Sequence, residues 1–307
     1  ELIESLYLGP VLPTLRQLRY LKLLAEHGSF SRAAEAAHVT QPTLSAGIQE
    51  LERTLGSAVV DRGRGGAVLT AVGSEAVRRG TEILTLAEDL VQAARAAGRP
   101  LSGAFRLGVI PTIAPFLLPR ALPELRRRFP ELRLFLREDQ TARLVTLLKE
   151  GALDAALIAL PYETSGLATA PVGEDELLAA VPSDHPLTAQ PRVAPSGLAG
   201  EEMILLEDGH CLRDHALAAC AWDSAPRSRE ADQGAVAATS LNTLVQMVGS
   251  GLGVSFLPRM AVQAGLADNP SVAVRAFETP AGDAPPRREI VVAWRAGSSR
   301  AAEARLL

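Results

Sequence analysis

The sequence predicts an α/β protein of more than one domain: a largely helical amino-terminal module, a long linker helix and a two-lobed α/β region. Three observations lead there. Leucines recur at three- and four-residue intervals early in the chain, short apolar runs alternate with helical segments from Gly103 onward, and aromatic residues make up only 4%. With 307 residues, 47% hydrophobic and 21% charged, the chain can build more than one packed core. The formal charge of -4 gives no general attraction to a polyanion, so DNA binding requires a local face. Scarce aromatics argue against a stacking platform for single strands. No apolar stretch reaches the roughly 20 residues that span a bilayer, and no secretory signal is apparent, so a cytoplasmic protein with reduced thiols is expected.

Residues 1–13 hold two prolines and no periodicity, and are read as an extension outside the fold, native or not. From Thr14, the leucines at 15, 18, 21, 23 and 24 predict a helix that Gly28 stops. Ser29 or Ser31 can cap a second, Arg32 to Ala37. Val39-Thr40 turns into a third at Gln41-Pro42, where proline at a first helical position sacrifices no hydrogen bond. Leu44, Ile48, Leu51 and Leu55 share one face of this third helix, and Thr43, Ser45 and Gln49 the opposite one.

A helix presenting small polar side chains after a short turn suits the major groove, although an ordinary three-helix bundle gives the same pattern. The glycine-rich segment Asp61 to Thr70 reads as a wing, with Arg62 and Arg64 placed for phosphate contact. Residues 14–70 are therefore read as a winged helix-turn-helix. Residues 71–98 follow as a linker helix whose seam, Val72, Ala76, Gly80, Ile83, Ala87, Leu90, Ala94 and Ala97, suits a partner helix.

The effector region is assigned to residues 103–307. Strands at 104–110, 132–137 and 153–160, separated by helices at 115–129 and 142–150, imply a parallel sheet with right-handed crossovers. Runs at 177–181, 203–206 and 254–257 and a helix at 241–248 suggest a second lobe, about 168–275. The strand at 290–294 returns to lobe I, about 103–161 and 280–307. Thr112 and Thr141 fall at strand ends, where each hydroxyl can serve a ligand or cap a helix. The triple arginine 126–128 reads as a solvated helix end.

The run Ser29 to Ser45, including Ser31, Arg32, Gln41, Pro42, Thr43 and Ser45, together with Leu69-Thr70-Ala71-Val72-Gly73, resembles the winged helix-turn-helix of LysR-type transcriptional regulators. The resemblance implies DNA contact by these residues with Gln49, Arg62 and Arg64, a dimer or dimer of dimers on two-fold related half-sites of double-stranded DNA, and possible engagement of RNA polymerase. It also implies a periplasmic-binding-protein-like effector domain. One departure is that Gly47, Gln49 and Glu50 stand in the second half of the recognition helix, where family members often place basic residues. Between residues 14 and 97, ten Lys and Arg face nine Asp and Glu, a thin electrostatic footprint.

The two cysteines of the chain, Cys211 and Cys220, stand nine residues apart in a helix-favouring segment. Nine helical residues advance about 13.5 Å and turn about 900°, whereas a disulfide needs Cα atoms within about 7 Å. A helix here must be dismantled before the two can pair. Cys211 would lie in the first helical turn beside His210 and near Arg213, which favour the thiolate; Cys220 has no such help. Glu207 to Asp214 followed by Cys220 resembles the hydrogen-peroxide-sensing OxyR group of that family, as do Ile110-Pro111-Thr112, Gln140-Thr141, Thr239-Ser240-Leu241 and Pro286-Arg287-Arg288. That resemblance implies a peroxidatic Cys211, a resolving Cys220, and peroxide held by Thr112, Thr141, His210 and Arg288. It weakens between Ala221 and Ala238.

Other readings remain at this point. Free cysteines are commonly small buried hydrophobes. His210, Cys211, His215 and Cys220 offer metal donors, but the two sulfurs cannot reach one ion from a straight helix, so neither metal nor cofactor is expected. A regulator sensing a small organic anion between the lobes is the nearest alternative. A thiol peroxidase or cysteine hydrolase is the alternative from another class, disfavoured by the amino-terminal module.

Overall fold

A computed structural model describes residues 12–61, 67–96, 100–198, 200–219, 237–278 and 284–307. Arg62, Arg64 and Cys220 lie outside the described residues. The chain divides into two compact units, the second beginning at Ala96.

In the first unit, α1 (Leu15–His27) is opened by Thr14, whose hydroxyl accepts from Gln17 N while Gln17 Oε1 accepts from Thr14 N. Gly28 closes it at φ 62°. Then come α2 (Phe30–Ala36) and α3 (Gln41–Leu55), the latter capped by Thr40 with Pro42 in its first turn. Leu21, Leu24, Leu44, Ile48 and Leu51 are almost wholly buried, each contributing about 1.5–3 kcal/mol. Leu15 and Leu55, expected on the apolar faces, are instead exposed at 48% and 38%, because each lies at a helix end beyond the core. The α2 hydroxyl expectation also changes. Ser29 is the N-cap but makes no side-chain capping bond, and Ser31 bonds Gln41 instead.

The wing strands β1 (Val60–Asp61) and β2 (Val68–Leu69) pair antiparallel. Glu52 fastens this hairpin to α3 by accepting from Val59 N at 2.9 Å and Val60 N at 3.3 Å. The long helix α4 (Ala71–Ala96) follows. A Cβ at Gly73 would stand 1.9 Å from Val59 O, so only glycine lets α4 start this close to the wing. Within α4, Gly80 packs on Leu18 and Ala76 joins the unit core, whereas Ile83, Leu86, Leu90 and Val91 are exposed.

The second unit opens with β3 (Gly103–Val109), α5 (Ala114–Arg128), β4 (Leu132–Glu138), α6 (Thr141–Lys149) and β5 (Ala155–Leu160). Both β4 and β5 flank β3 in parallel, as expected for β-α-β crossovers. A single long strand, β6 (Leu167–Pro182), then passes from one lobe to the other. It is followed by the short β7 (Arg192–Val193) and β8 (Leu205–Leu206), helix α7 (Cys211–Ala219), β9 (Ala237–Ala238), α8 (Leu241–Gly249), β10 (Ser255–Pro258), α9 (Arg259–Gln263), β11 (Val272–Phe277), β12 (Arg287–Arg295) and α10 (Ala301–Ala304).

The first half of β6 pairs antiparallel with β12, which returns beside β5; its second half pairs with β10 and β11. The expected second-lobe strand at 177–181 is thus the far half of a strand beginning at Leu167. Two apolar cores result. One holds Phe105, Leu107, Val109, Ile158, Val292 and Trp294, the other Leu177, Val181, Leu244, Val248, Phe256 and Phe277.

Candidate peroxide-reactive thiol site

Helix α7 belongs to both cores. Cys211, its first residue, packs in the lobe I cluster, while Leu212 and Ala216 pack in the lobe II cluster. At nine residues this helix is shorter than the about 12–15 that sustain a helix in isolation, so its order depends on those two anchorages. The turn leading into it is braced from lobe I. Gly209 adopts φ 93°, where a Cβ would stand 2.4 Å from Gln140 Oε1, and Gln140 Nε2 donates to Asp208 O at 3.3 Å.

Cys211 is 5% exposed, Thr112 2%, Thr141 1% and Arg288 0%. The guanidinium of Arg288 on β12 donates to Thr112 Oγ1 at 2.7 Å and Thr112 O at 2.9 Å. Its other side holds Asp175 Oδ2 at 2.9 and 3.1 Å, and Asp175 Oδ1 accepts from Met260 N at 3.0 Å. Arg288 and Asp175 are cross-strand partners in the β12–β6 register, so the backbone itself places the pair. Neither threonine caps a helix: Ile113 and Gln140 are the N-caps of α5 and α6. Thr141 Oγ1 is buried with no hydrogen bond of regular geometry, yet it sits close enough to the Cys211 sulfur to favour the thiolate.

The electrostatics correct one expectation. Burial pushes the Cys211 thiol up from its ordinary value, and Thr141 and Arg288 oppose this only in part. His210 does not supply a cation, because burial lowers its pKa against a weaker opposing pull from Glu207. Arg213 is turned to Asp208 at 3.2 Å and Leu206 O at 3.4 Å. The sequence neighbours of Cys211 therefore give less help than residues brought from β12 and α6.

Three residues of this site carry no clear signal in the sequence or were read otherwise. Asp175, 4% exposed, is one carboxylate in an acidic run. His215, noted only as a metal donor, is 5% exposed and places Nε2 3.3 Å from Pro161 O. Tyr162 packs against the lobe I core that contains Cys211, and its phenol is pushed up by burial and by Cys211 and Asp214.

In the first unit, Ser31, Arg32, Gln41, Pro42, Thr43 and Gln49 are exposed and Ser45 is half-buried. They cluster around the start and outer face of α3, the Thr43 hydroxyl lying 2.8 Å from that of Thr40.

Residues 15–74 match the family pattern described as "Bacterial regulatory helix-turn-helix protein, lysR family", and residues 98–307 match "LysR substrate binding domain". The HTH-type transcriptional regulator EstR of Acinetobacter baylyi is 42% identical over 251 residues, 82% of this chain and 81% of that protein. The hydrogen peroxide-inducible genes activator of Dickeya chrysanthemi is 37% identical over 286 residues, 92% of this chain and 90% of that protein. A full-length OxyR from Pseudomonas aeruginosa, solved as a cysteine-to-aspartate variant, superposes with a TM-score of 0.74 at 36% identity, covering 96% of each chain. With both halves matched and the thiol site assembled between its lobes, the chain belongs to the LysR family of bacterial transcriptional regulators, in the OxyR group, and not to a family of enzymes.

Proposed function

We propose that this protein senses hydrogen peroxide in the cytoplasm through Cys211 and converts its oxidation into altered control of antioxidant genes. The observation that carries this reading is the setting of Cys211: a buried sulfur beside a free hydroxyl, Thr141 Oγ1, and under the charge of the fully buried, doubly anchored Arg288. Such a site suits a small neutral oxidant. The thiolate attacks one peroxide oxygen, and Arg288, Thr112 and Thr141 stand where charge developing on the leaving oxygen can be stabilised. His210 flanks the entrance to α7 as a neutral group.

Oxidation to a sulfenic acid places a polar oxygen in the lobe I core, at a cost of about 1–3 kcal/mol if unbonded. That loss falls on a helix whose apolar packing is divided between the two lobe cores. Cys220, immediately after α7, then attacks the sulfenic sulfur, releasing water and forming the disulfide, and α7 is dismantled as the two sulfurs meet. Reorientation of the effector units would alter the spacing of paired recognition helices. The exposed apolar residues Ile83, Leu86, Leu90 and Val91 of α4 offer the dimer contact, with a dimer of dimers as the full assembly. The DNA face is Ser31, Arg32, Gln41, Pro42, Thr43, Ser45 and Gln49, extended by Arg62 and Arg64, and RNA polymerase is the partner on activation.

Titration of free thiols before and after one equivalent of peroxide tests the proposal. Loss of both thiols is expected; retention of both refutes it.

A further inference from the structure

We propose that His215 is the proton acceptor for the Cys211 thiol when it reacts with peroxide, an inference that rests on the function proposed above. Cys211 and His215 are four residues apart on α7 and so share one helical face. Leu212 and Ala216 belong to the lobe II core, which leaves the Cys211–His215 face toward lobe I. The contact of His215 Nε2 with Pro161 O, just past the end of β5, agrees with this.

That contact also fixes the tautomer. A carbonyl oxygen only accepts, so Nε2 carries the proton and Nδ1 presents a lone pair. Nδ1 is buried and unbonded, and among the described residues the one other side-chain polar atom in that condition is Thr141 Oγ1. Thr141 acts on the Cys211 sulfur directly, His215 shares the helical face of that sulfur, and the charge of Arg288 acts on the thiol and the imidazole alike.

A base is what this thiol needs. Burial keeps it protonated, and burial together with Arg288 keeps His215 neutral and able to accept a proton. The charged groups that act on the imidazole are Asp214 on α7 and Arg288, the latter with its partner Asp175.

In the step itself, the thiol proton moves to Nδ1 as the sulfur electron pair attacks one peroxide oxygen. An S–O bond forms and the O–O bond breaks; the sulfur loses two electrons and the peroxide gains them. The departing hydroxide takes the proton from the imidazolium and leaves as water. Cys211 ends as a sulfenic acid and His215 as the neutral imidazole with which it began.

The test is the rate constant for loss of the Cys211 thiol with hydrogen peroxide in the full-length protein, followed between about pH 6.5 and 8.5. With an internal base the wild-type rate stays within about twofold across this range, because thiol and imidazole exchange a proton without solvent. In His215→Gln the amide still donates to Pro161 O but accepts no proton. Its rate should fall at least about tenfold at pH 7 and climb about tenfold per pH unit, following free thiolate. A wild-type rate that itself climbs about tenfold per unit overturns the proposal without recourse to any variant. So does a His215→Gln protein with unchanged rate and profile. If the wild-type thiol does not react at all, the peroxide-sensing function falls, and this inference falls with it.

Discussion

Arg288 Nη1 donates to Thr112 Oγ1 at 2.7 Å with both side chains buried, which fixes a cation at the end of β3. The same guanidinium neutralises Asp175, so the site carries its charge without a net buried charge. Arg288→Met strands the carboxylate and should cost roughly 3–5 kcal/mol in denaturant unfolding. Arg288→Met combined with Asp175→Leu should recover most of that stability but not peroxide reactivity. Recovery of both would show that the cation only packs.

Thr141→Val separates stability from chemistry. The hydroxyl it removes is buried and makes no regular hydrogen bond, so unfolding free energy should change by less than about 1 kcal/mol, with a gain as readily as a loss. The thiol loses one of the two groups that favour its anion. Alkylation of Cys211 should therefore shift to higher pH, and peroxide oxidation should slow. An unchanged alkylation profile contradicts this role for the hydroxyl.

Stability should pass through a plateau between pH 6.5 and 9.0, the ordinary values of the two buried groups. Burial lowers the folded-state pKa of His215, so as pH falls below 6.5 the unfolded chain binds the proton first and stability is lost. His210 acts in the same direction. The Cys211 thiol is raised in the fold, so above 9.0 the unfolded chain ionises first and stability is lost on that side too. Thermal melts across this range give the shape directly, and His215→Gln should flatten the acid limb. An acid limb unchanged by that substitution would assign it to other groups.

Much of the fold is legible in the sequence because local periodicity decides it. Helices α1, α3 and α6 and strands β3, β4 and β12 fall within a few residues of the apolar runs that announce them. The near half of β6 is not legible, since Pro171 and the acidic run Glu174-Asp175-Glu176 break its alternation. Its strand character comes from pairing with β12, a long-range contact. The same limit governs the site. Thr112, Thr141, Arg288 and Cys211 are visible through resemblance, but the direction of the thiol pKa is set by burial, which His210 and Arg213 in the linear sequence do not reveal. Asp175 and His215 acquire meaning only once β6, β12 and the end of β5 are side by side.

Gly209→Ala should loosen the approach to Cys211. Alanine at φ 93° costs about 1–2 kcal/mol, and its methyl can be accommodated only if Gln140 swings away and gives up its bond to Asp208 O. A lowered unfolding free energy and faster amide exchange at the start of α7 are expected. Full retention of both would mean that the turn relaxes without cost.

On DNA, Gln49→Ala or Ser45→Ala should weaken specific binding by about 1–3 kcal/mol while leaving non-specific binding unchanged. With so nearly balanced a charge in this module, the salt dependence of binding should be shallow for each subunit. Equal losses on specific and random duplexes would move these side chains from base to backbone contact.

The most direct measurement is amide hydrogen exchange through residues 212–219 of the full-length protein, reduced and after one equivalent of peroxide, with the Cys211–Cys220 bond verified by peptide mapping. Protection present in the reduced protein and gone in the disulfide form is the expected result. A bonded protein that keeps the protection of α7 would contradict the coupling of thiol oxidation to refolding.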